Sequence, residues 1–173
     1  EENNPSAGTS VLQNIVENNM LIASAYAESR KHDSLKKPAV SAFKEGDYWI
    51  VSGVKKPCSL SKTASIIGAS VLLQDTQGEE YGVALISTDS PGISVKPFWN
   101  NSILQGAQSD EVIFDNVKVH QSQVVIPESH MGSRDSDIHT VGLSWFILLT
   151  SASYLGMAQR VVFETSKYST YKE

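Results

Sequence analysis

The stretch SIIGASVLLQDTQGEEYGVALIS, residues 65–87, decides the fold. Two apolar runs, Ser65 to Leu73 and Tyr81 to Ser87, lie on either side of the turn residues Gln77 and Gly78. Runs of this length, bounded by turn residues and rich in Val and Ile, are typical of strands. The sequence therefore predicts two neighbouring strands near the middle of the chain.

Similar signals on both sides extend the β region from Ala39 to about Ile126. The other predicted strands are Asp47 to Ser52, Ile93 to Phe98, Glu111 to Val119 and Gln123 to Ile126. Turn residues separate them at short, regular intervals, which favours an antiparallel barrel or sandwich over alternating helices and strands. We therefore expect a mainly β fold with six or seven strands.

Helical patterns flank the β region at both ends. Apolar residues recur at helical spacing between Val11 and Met20, and a longer helical pattern runs from about Ile138 to the end of the chain. The later pattern is apolar on several faces, so this helix needs partners that the chain itself does not offer. The apolar stretch from Val141 to Ala158 is interrupted by Ser and Thr and falls short of the ~20 apolar residues of a membrane span. We therefore expect helices from incomplete helical domains, and no membrane partner.

Charge and cysteine content exclude several classes of function. The formal net charge is −5, so no positive field is present to collect nucleic acid. Cys58 is the single cysteine, which excludes an internal disulfide and a multi-thiolate metal site. The four histidines show no helical i, i+4 pair, so no metal site is expected. Residues 1–10 are acidic and rich in Asn, unlike a signal peptide, and we expect a cytoplasmic protein.

Three segments occur in an order that resembles the acyl-CoA dehydrogenase family. They are GVKKPCSLSKTA at residues 53–64, VIFDNVKV at residues 112–119 after Ser90, Pro91 and Gly92, and YLGMA at residues 154–158. The resemblance implies a β-domain between two helical domains. Residues 1–20 would be the tail of the N-terminal helical domain, residues 21–127 the flavin-binding β-domain, and residues 128–173 a loop and the first helix of the C-terminal domain.

The resemblance also implies which residues contact a flavin. The segment SAYAE places Ser24, Tyr26 and Ala27 at flavin-contacting positions, with Ala27 where the family has a hydroxyl. Ser59 lies at the hydroxyl position beside the reactive edge of the flavin, where it would bond to N5 or O4. Pro57 stands where the family has an aromatic residue, so Trp49 or another aromatic would have to replace that contact.

The family's glycine-containing phosphate segment is replaced here by SRKHDS, residues 29–34. Glycine allows close backbone approach to phosphate, and Asp33 would repel a pyrophosphate unless nearby cations compensated. The resemblance implies FAD as the cofactor, whereas the replaced phosphate segment is easier to reconcile with FMN or a shifted FAD pose, so FMN is the alternative.

The resemblance implies an oxidoreductase that carries out α,β-oxidation of an acyl thioester or acts on another small-molecule substrate. Two alternatives stay open: a reduced-flavin-dependent monooxygenase of the same fold, and a non-catalytic scaffold. The catalytic residues are unknown, because the family's base comes from the C-terminal helical domain. We expect a homo-oligomer, since the last helix presents apolar residues without a partner. Cys58 has no neighbouring base and is assigned no role.

Overall fold

The computed structural model describes residues 13–27, 38–76, 78–126 and 136–170. By its internal contacts the chain divides into two units, Glu1–Pro127 and Glu128–Glu173. The replaced phosphate segment at residues 29–34 and the turn residue Gln77 lie outside the described residues, as do residues 1–12. The assignment of residues 1–20, 21–127 and 128–173 to three family domains stays a prediction.

The first unit is built from strands, and the mainly β prediction is confirmed. Residues 13–17 are helical (α1), within the segment where the sequence predicts a helix. The described residues then form β1 (Ile22–Ala25), β2 (Ser41–Glu45), β3 (Tyr48–Cys58), β4 (Ile66–Asp75), β5 (Gly78–Ser87), β6 (Ile93–Lys96), β7 (Asp110–His120) and β8 (Val124–Val125). Short 3-10 turns occupy Gln105–Ala107 and Gln121–Gln123.

The strands form one mixed sheet in the order β6-β7-β3-β2-β4-β5-β8, with β1 also paired to β4. The sheet is open between β6 and β8, so the closed-barrel form of the prediction is wrong. Most pairs are antiparallel, as expected, but β1 and β2 both run parallel to β4. The reason is that the chain leaves the edge of β4 after β1 and returns to the same edge, in the same direction, as β2.

The core lies along one face of the central strands. Inward-facing apolar residues are fully or almost fully buried and alternate with more exposed ones along β3, β5 and β7, as the strand period requires. The members include Val51, Ile67, Val71, Ile86, Val112 and Val117. Each buried aliphatic side chain of this kind contributes ~1.5–3 kcal/mol, so this face holds the sheet together.

Gly53 marks an irregularity in the pairing of β3. The register with β7 shifts between Val51 and Gly53, and Gly53 has a φ of 141°. A Cβ on Gly53 would lie 2.9 Å from the Cα of Val40, closer than side chains tolerate. Glycine is therefore required here, both by the backbone angle and by the close approach of another segment.

The second unit contains one long helix, α2 (Ser136–Thr170), as the sequence predicts from about Ile138. Large apolar side chains are exposed around it, among them Trp145, Leu149 and Val162. By length and composition alone, Ser144–Tyr168 is sufficient to cross a membrane, and an 18-residue window within it has a mean hydropathy of 1.3. This differs from the expectation that the apolar stretch from Val141 to Ala158 is too short and too interrupted to span a bilayer. Core helices of soluble proteins have the same composition.

The fold predicts a large effect for the substitution Gly53→Ala. It should lower the free energy of unfolding by about 1–3 kcal/mol, because the new Cβ would press on Val40 in a strained backbone region. Urea unfolding followed by circular dichroism measures the change. Gly106→Ala is the matched control, since nothing lies within 4 Å of a Cβ at Gly106. Equal stability losses in the two variants would contradict this explanation.

Candidate functional site

Two loops meet where β3 ends and β7 begins. In the antiparallel pair, Cys58 lies opposite Asp110. The residues that follow β3 therefore lie beside the residues that precede β7. We call residues 58–64 and 107–110 the β3–β7 junction.

Hydrogen bonds fasten the two loops of the β3–β7 junction to each other. The Leu60 amide donates to the Ala107 carbonyl at 2.9 Å. The Ser61 hydroxyl donates to the Gln108 carbonyl at 2.7 Å, and the Thr63 hydroxyl donates to the Gln108 side-chain oxygen, also at 2.7 Å. The first loop is therefore held by its side chains as well as by its backbone.

Three residues at or beside the junction adopt the left-handed region without being glycine. Leu60 has a φ of 60°, Leu104 of 59° and Gln108 of 50°. Bulky side chains rarely adopt this region, and each such residue costs of order 1–3 kcal/mol. Strain of this kind concentrates at ligand-binding and active sites. The junction is therefore a candidate site on its backbone geometry.

Ser59, the hydroxyl that the sequence places at a flavin edge, lies in this junction. It is exposed, and its Oγ is 2.9 Å from the Oγ of Ser109, which is almost buried. One hydroxyl donates to the other, so the Ser59 oxygen is oriented by the second loop. An exposed and oriented hydroxyl can serve a ligand as a hydrogen-bond donor or acceptor.

Asp110 is a buried carboxylate that the sequence analysis missed. Its Oδ1 accepts the Phe98 amide at 3.1 Å, and its Oδ2 is 2.8 Å from the Nζ of Lys62. The Lys62 ammonium, followed by the amides of Phe98 and Trp99, lowers the pKa of Asp110 below its ordinary value. Asp110 is therefore charged at neutral pH and connects the Ser59 loop to the segment that begins at Phe98.

Two aromatic rings lie on that connected segment. Phe98 is 42% exposed and Trp99 is 38% exposed, and the Trp99 indole donates to the Ile103 carbonyl at 2.8 Å. Trp49 is buried and pairs with Val119 near the other end of β3, nine residues from Cys58, about 30 Å at ~3.3 Å per residue. Trp49 therefore does not reach the junction, and Phe98 and Trp99 are the aromatic side chains beside it.

Ser24, Tyr26 and Ala27 lie in a second place, on and after β1. Ser24 is exposed and pairs with Gly68 of β4, Tyr26 is 37% exposed, and Ala27 is half-buried. Partial burial raises the pKa of Tyr26, so this phenol is neutral at physiological pH. The structure shows no contact between these residues and Ser59, so their roles toward a flavin stay predictions.

The two places are nevertheless connected through the start of β4. The Leu21 carbonyl accepts the amides of Ser65 at 3.0 Å and Ile66 at 3.2 Å, directly after the Ser59 loop. Ser24 is three residues further along β1, roughly 10 Å at ~3.3 Å per residue. An extended ligand would be needed to contact both Ser24 and the junction.

Comparisons with known proteins decide the family. No model of a known protein family matches the chain. The chain is 40% identical over 149 residues to an isobutylamine N-hydroxylase of Streptomyces viridifaciens, covering 86% of this chain and 39% of the hydroxylase. It is 27% identical over 106 residues to a cyclohexane-1-carbonyl-CoA dehydrogenase of Syntrophus aciditrophicus, covering 61% of this chain and 28% of the dehydrogenase. The chain belongs to the acyl-CoA dehydrogenase-like family. It spans less than two fifths of the length of these relatives.

Solved structures show the same fold. FMN-bound TdsC from Paenibacillus matches with a TM-score of 0.62 at 22% identity, over 70% of this chain and 30% of that one. A glutaryl-CoA dehydrogenase from Mycobacterium smegmatis in complex with FADH2 matches with a TM-score of 0.57 at 18% identity, over 67% of this chain and 29% of that one. The acyl-CoA dehydrogenase-like fold predicted from the sequence is confirmed.

Lys55 is a second buried charge that the sequence analysis missed. It is the lysine of the Gly-x-Lys pattern that carries the family resemblance, and its side chain is fully buried. Its Nζ donates to the Ser70 hydroxyl at 2.8 Å. Buried ammonium groups need hydrogen-bond partners, and through Ser70 the Lys55 side chain connects β3 to β4. In the sequence, the place of Lys55 in the segment that resembles the family was the signal that could have singled it out.

In the described residues, Cys58 is not placed as a reactive thiol, and the acidic and histidine side chains form no metal-binding group. Burial raises the pKa of the Cys58 thiol to about 11, so the nucleophilic thiolate is scarce at neutral pH. Within the described ranges, no group of three or more His, Cys, Asp and Glu residues is placed to hold a metal ion. Among the described residues, Ser59 and its neighbours are therefore the candidate functional site.

The Lys62–Asp110 pair predicts a pH-dependent effect of Lys62→Met. The substitution should destabilise the fold by about 0.5–1 kcal/mol at pH 7, because Lys62 is half exposed and solvent screens the pair. The pKa of Asp110 is lowered in the folded state, so its contribution is complete above 3.8 and is lost as the pH falls through the lowered value. The difference between wild type and variant should therefore disappear in strong acid.

Unfolding midpoints measured from pH 7 to pH 2 test this expectation. Lys96→Met is the control, because Lys96 is exposed on β6 and no ion pair is found for it in the described residues. A Lys62→Met deficit that persists undiminished at the lowest pH would show that the pair does not account for it.

Proposed function

We propose that this chain supplies the flavin-binding β-domain of a flavin-dependent oxidoreductase. The β3–β7 junction carries the proposal, since the exposed Ser59 hydroxyl lies there together with the half-exposed rings of Phe98 and Trp99. A flavin ring has a polar edge that needs hydrogen bonds and apolar faces that need contact. Ser59 within the junction and the rings of Phe98 and Trp99 beside it offer both, so the residues present fit the cofactor.

Bound flavin would supply the redox chemistry, and the residues of the chain bind and orient it. Ser59 would hydrogen-bond the polar edge of the ring. Phe98 or Trp99 would supply the aromatic contact that Pro57, standing where the family has an aromatic residue, does not make. Ser24, Tyr26 and Ala27 would contact the flavin from β1. Aromatic cover also excludes water, which strengthens the hydrogen bond from Ser59.

The cofactor in this proposal is FAD, with FMN as the alternative. The similar solved structures support both, since one holds FADH2 and another holds FMN. The two flavins differ by the adenylate group. Mass spectrometry of the flavin released by heat from the purified protein distinguishes them directly.

For the reaction, we propose reduced-flavin-dependent monooxygenation with an amine as the substrate class. The support is the 40% identity to an N-hydroxylase over 86% of the chain. The second candidate is α,β-oxidation of an acyl thioester, supported by the 27% identity to an acyl-CoA-type dehydrogenase over 61% of the chain. The first candidate rests on the longer and stronger similarity, so we favour it.

We also infer that α2 packs with other helices in the intact protein, from the same chain or from a second copy. The apolar side chains around α2 support this, since one helix cannot bury them alone. Arg160 and Glu164 pair at 2.6 Å within the apolar stretch, and charged residues are costly in a bilayer. We propose that a second copy supplies these helices, which makes the protein a homo-oligomer, and we keep the cytoplasm as its proposed location. Size-exclusion chromatography with light scattering measures the oligomeric state, and a monomer would leave helices of the same chain as the cover of α2.

The proposed flavin contact predicts the effect of Ser59→Ala. In the intact protein this variant should bind flavin about fivefold more weakly, the equivalent of ~1 kcal/mol for one hydrogen bond. The visible spectrum of the bound flavin should also shift. Ser94→Ala is the matched control, because Ser94 is an exposed serine on β6. Identical flavin affinity and spectrum in wild type and Ser59→Ala would remove Ser59 from the site.

The two candidate reactions predict different products from the intact protein. With a flavin reductase and NADH, monooxygenation should consume oxygen in the presence of a primary amine and yield its hydroxylamine. The α,β-oxidation should instead reduce an electron-accepting dye in the presence of an acyl-CoA. Dye reduction with acyl-CoA and no hydroxylamine would reverse our order of the two candidates. A purified protein without flavin absorbance, and unable to bind added flavin, would favour the scaffold alternative.

A further inference from the structure

Asp110 joins three segments of the chain around Ser59. Its carboxylate accepts the Phe98 amide at 3.1 Å and lies 2.8 Å from the Nζ of Lys62, three residues after Ser59. It begins β7 directly opposite Cys58, the residue before Ser59. The side chain of Asp110 is 7% exposed and that of Lys62 is 55% exposed. One buried carboxylate therefore contacts the loop of Ser59 and the segment of the exposed aromatic rings.

The residue before Asp110 holds the Ser59 hydroxyl, since the Oγ of Ser109 lies 2.9 Å from the Ser59 Oγ. Ser59 is thus flanked by the strand pair at Cys58 and Asp110 and by the ion pair at Lys62. If the ion pair is lost, the first loop keeps the hydrogen bonds from Ser61 and Thr63 to Gln108. It loses its contact with the Asp110 carboxylate, which also accepts the Phe98 amide.

The Lys62–Asp110 ion pair is not implied by the resemblance, which assigns no role to either residue. The buried carboxylate of Asp110 keeps its charge through the nearby Lys62 ammonium, and a buried charge left without its partner is costly.

We propose that the Lys62–Asp110 ion pair orients the Ser59 hydroxyl toward the flavin, which makes Asp110 a positioning residue. This inference rests on the proposed function, because it requires Ser59 to contact the flavin. Asp110 itself acts through Ser59 and does not contact the cofactor.

The test compares Asp110→Asn, Lys62→Met and Ser59→Ala, together with the double variant Ser59→Ala/Lys62→Met, in the intact protein with added FAD or FMN. Asp110→Asn keeps the size of the side chain and removes its charge. Lys62→Met removes the partner from a half-exposed position, so it carries the test if Asp110→Asn does not fold. Glu111→Gln is the matched control, since it breaks the neighbouring Lys56–Glu111 ion pair of 2.6 Å.

Flavin affinity, visible spectrum and reduction potential are the measurements, each at pH 7. Asp110→Asn and Lys62→Met should each weaken flavin binding by about twofold to fivefold, because misorienting the Ser59 hydroxyl cannot cost more than the roughly fivefold loss expected when that hydroxyl is removed. Both should shift the flavin spectrum in the direction that Ser59→Ala shifts it, and Glu111→Gln should shift neither property. The double variant should differ little from Ser59→Ala alone, because the ion pair acts through that hydroxyl.

The outcomes separate this inference from the proposed function. If Ser59→Ala changes the flavin while Lys62→Met and Asp110→Asn leave it unchanged, the positioning role is overturned and the flavin site stands. Fully additive effects in the double variant would also overturn it, since the ion pair would then act independently of Ser59. If no variant affects flavin, or the wild type binds none, both the positioning role and the flavin site are overturned.

Discussion

The antiparallel pairing of β3 with β7 is the constraint on which the candidate site depends. The two strands pair from Tyr48 opposite His120 to Cys58 opposite Asp110, with two irregularities on the way. β3 ends beside the start of β7, so Ser59 meets Ser109 although 50 positions separate them in the chain. The strained residues, the hydroxyl contacts and the ion pair of the junction all follow from this register.

Much of the β unit could be predicted because its strands carry their own signals. β4 and β5 are long, apolar and separated by turn residues, and both were predicted close to their observed bounds. β1 differs, since the short apolar run from Leu21 to Ala27 fits a strand or a buried helix equally well. Its identity depends on parallel pairing with β4, a long-range contact that local periodicity does not encode. Because this parallel pairing has no local signal, the sequence predicted a purely antiparallel sheet.

The site was predicted in part, for a comparable reason. The resemblance located a hydroxyl at the end of β3, because the pattern that begins at Gly53 is local in the chain. The buried charges Lys55 and Asp110 could not, because charged residues are mostly exposed and only tertiary contacts show which are buried. Phe98 and Trp99 were predicted as a strand end or left unassigned, since exposure of an aromatic ring is likewise a property of the folded sheet.

The side chains that follow the hydroxyl position form a coupled set at the junction. They are Ser61, Lys62 and Thr63. Each of these side chains has a partner on the second loop: Ser61 and Thr63 bond to Gln108, and Lys62 pairs with Asp110. A loop of small residues owes its shape to backbone freedom, whereas this loop is shaped by side-chain contacts that offset the cost of left-handed Leu60 and Gln108. These contacts therefore hold the Ser59 loop against the second loop, which leaves the Ser59 hydroxyl ordered and exposed, as the proposed flavin contact requires.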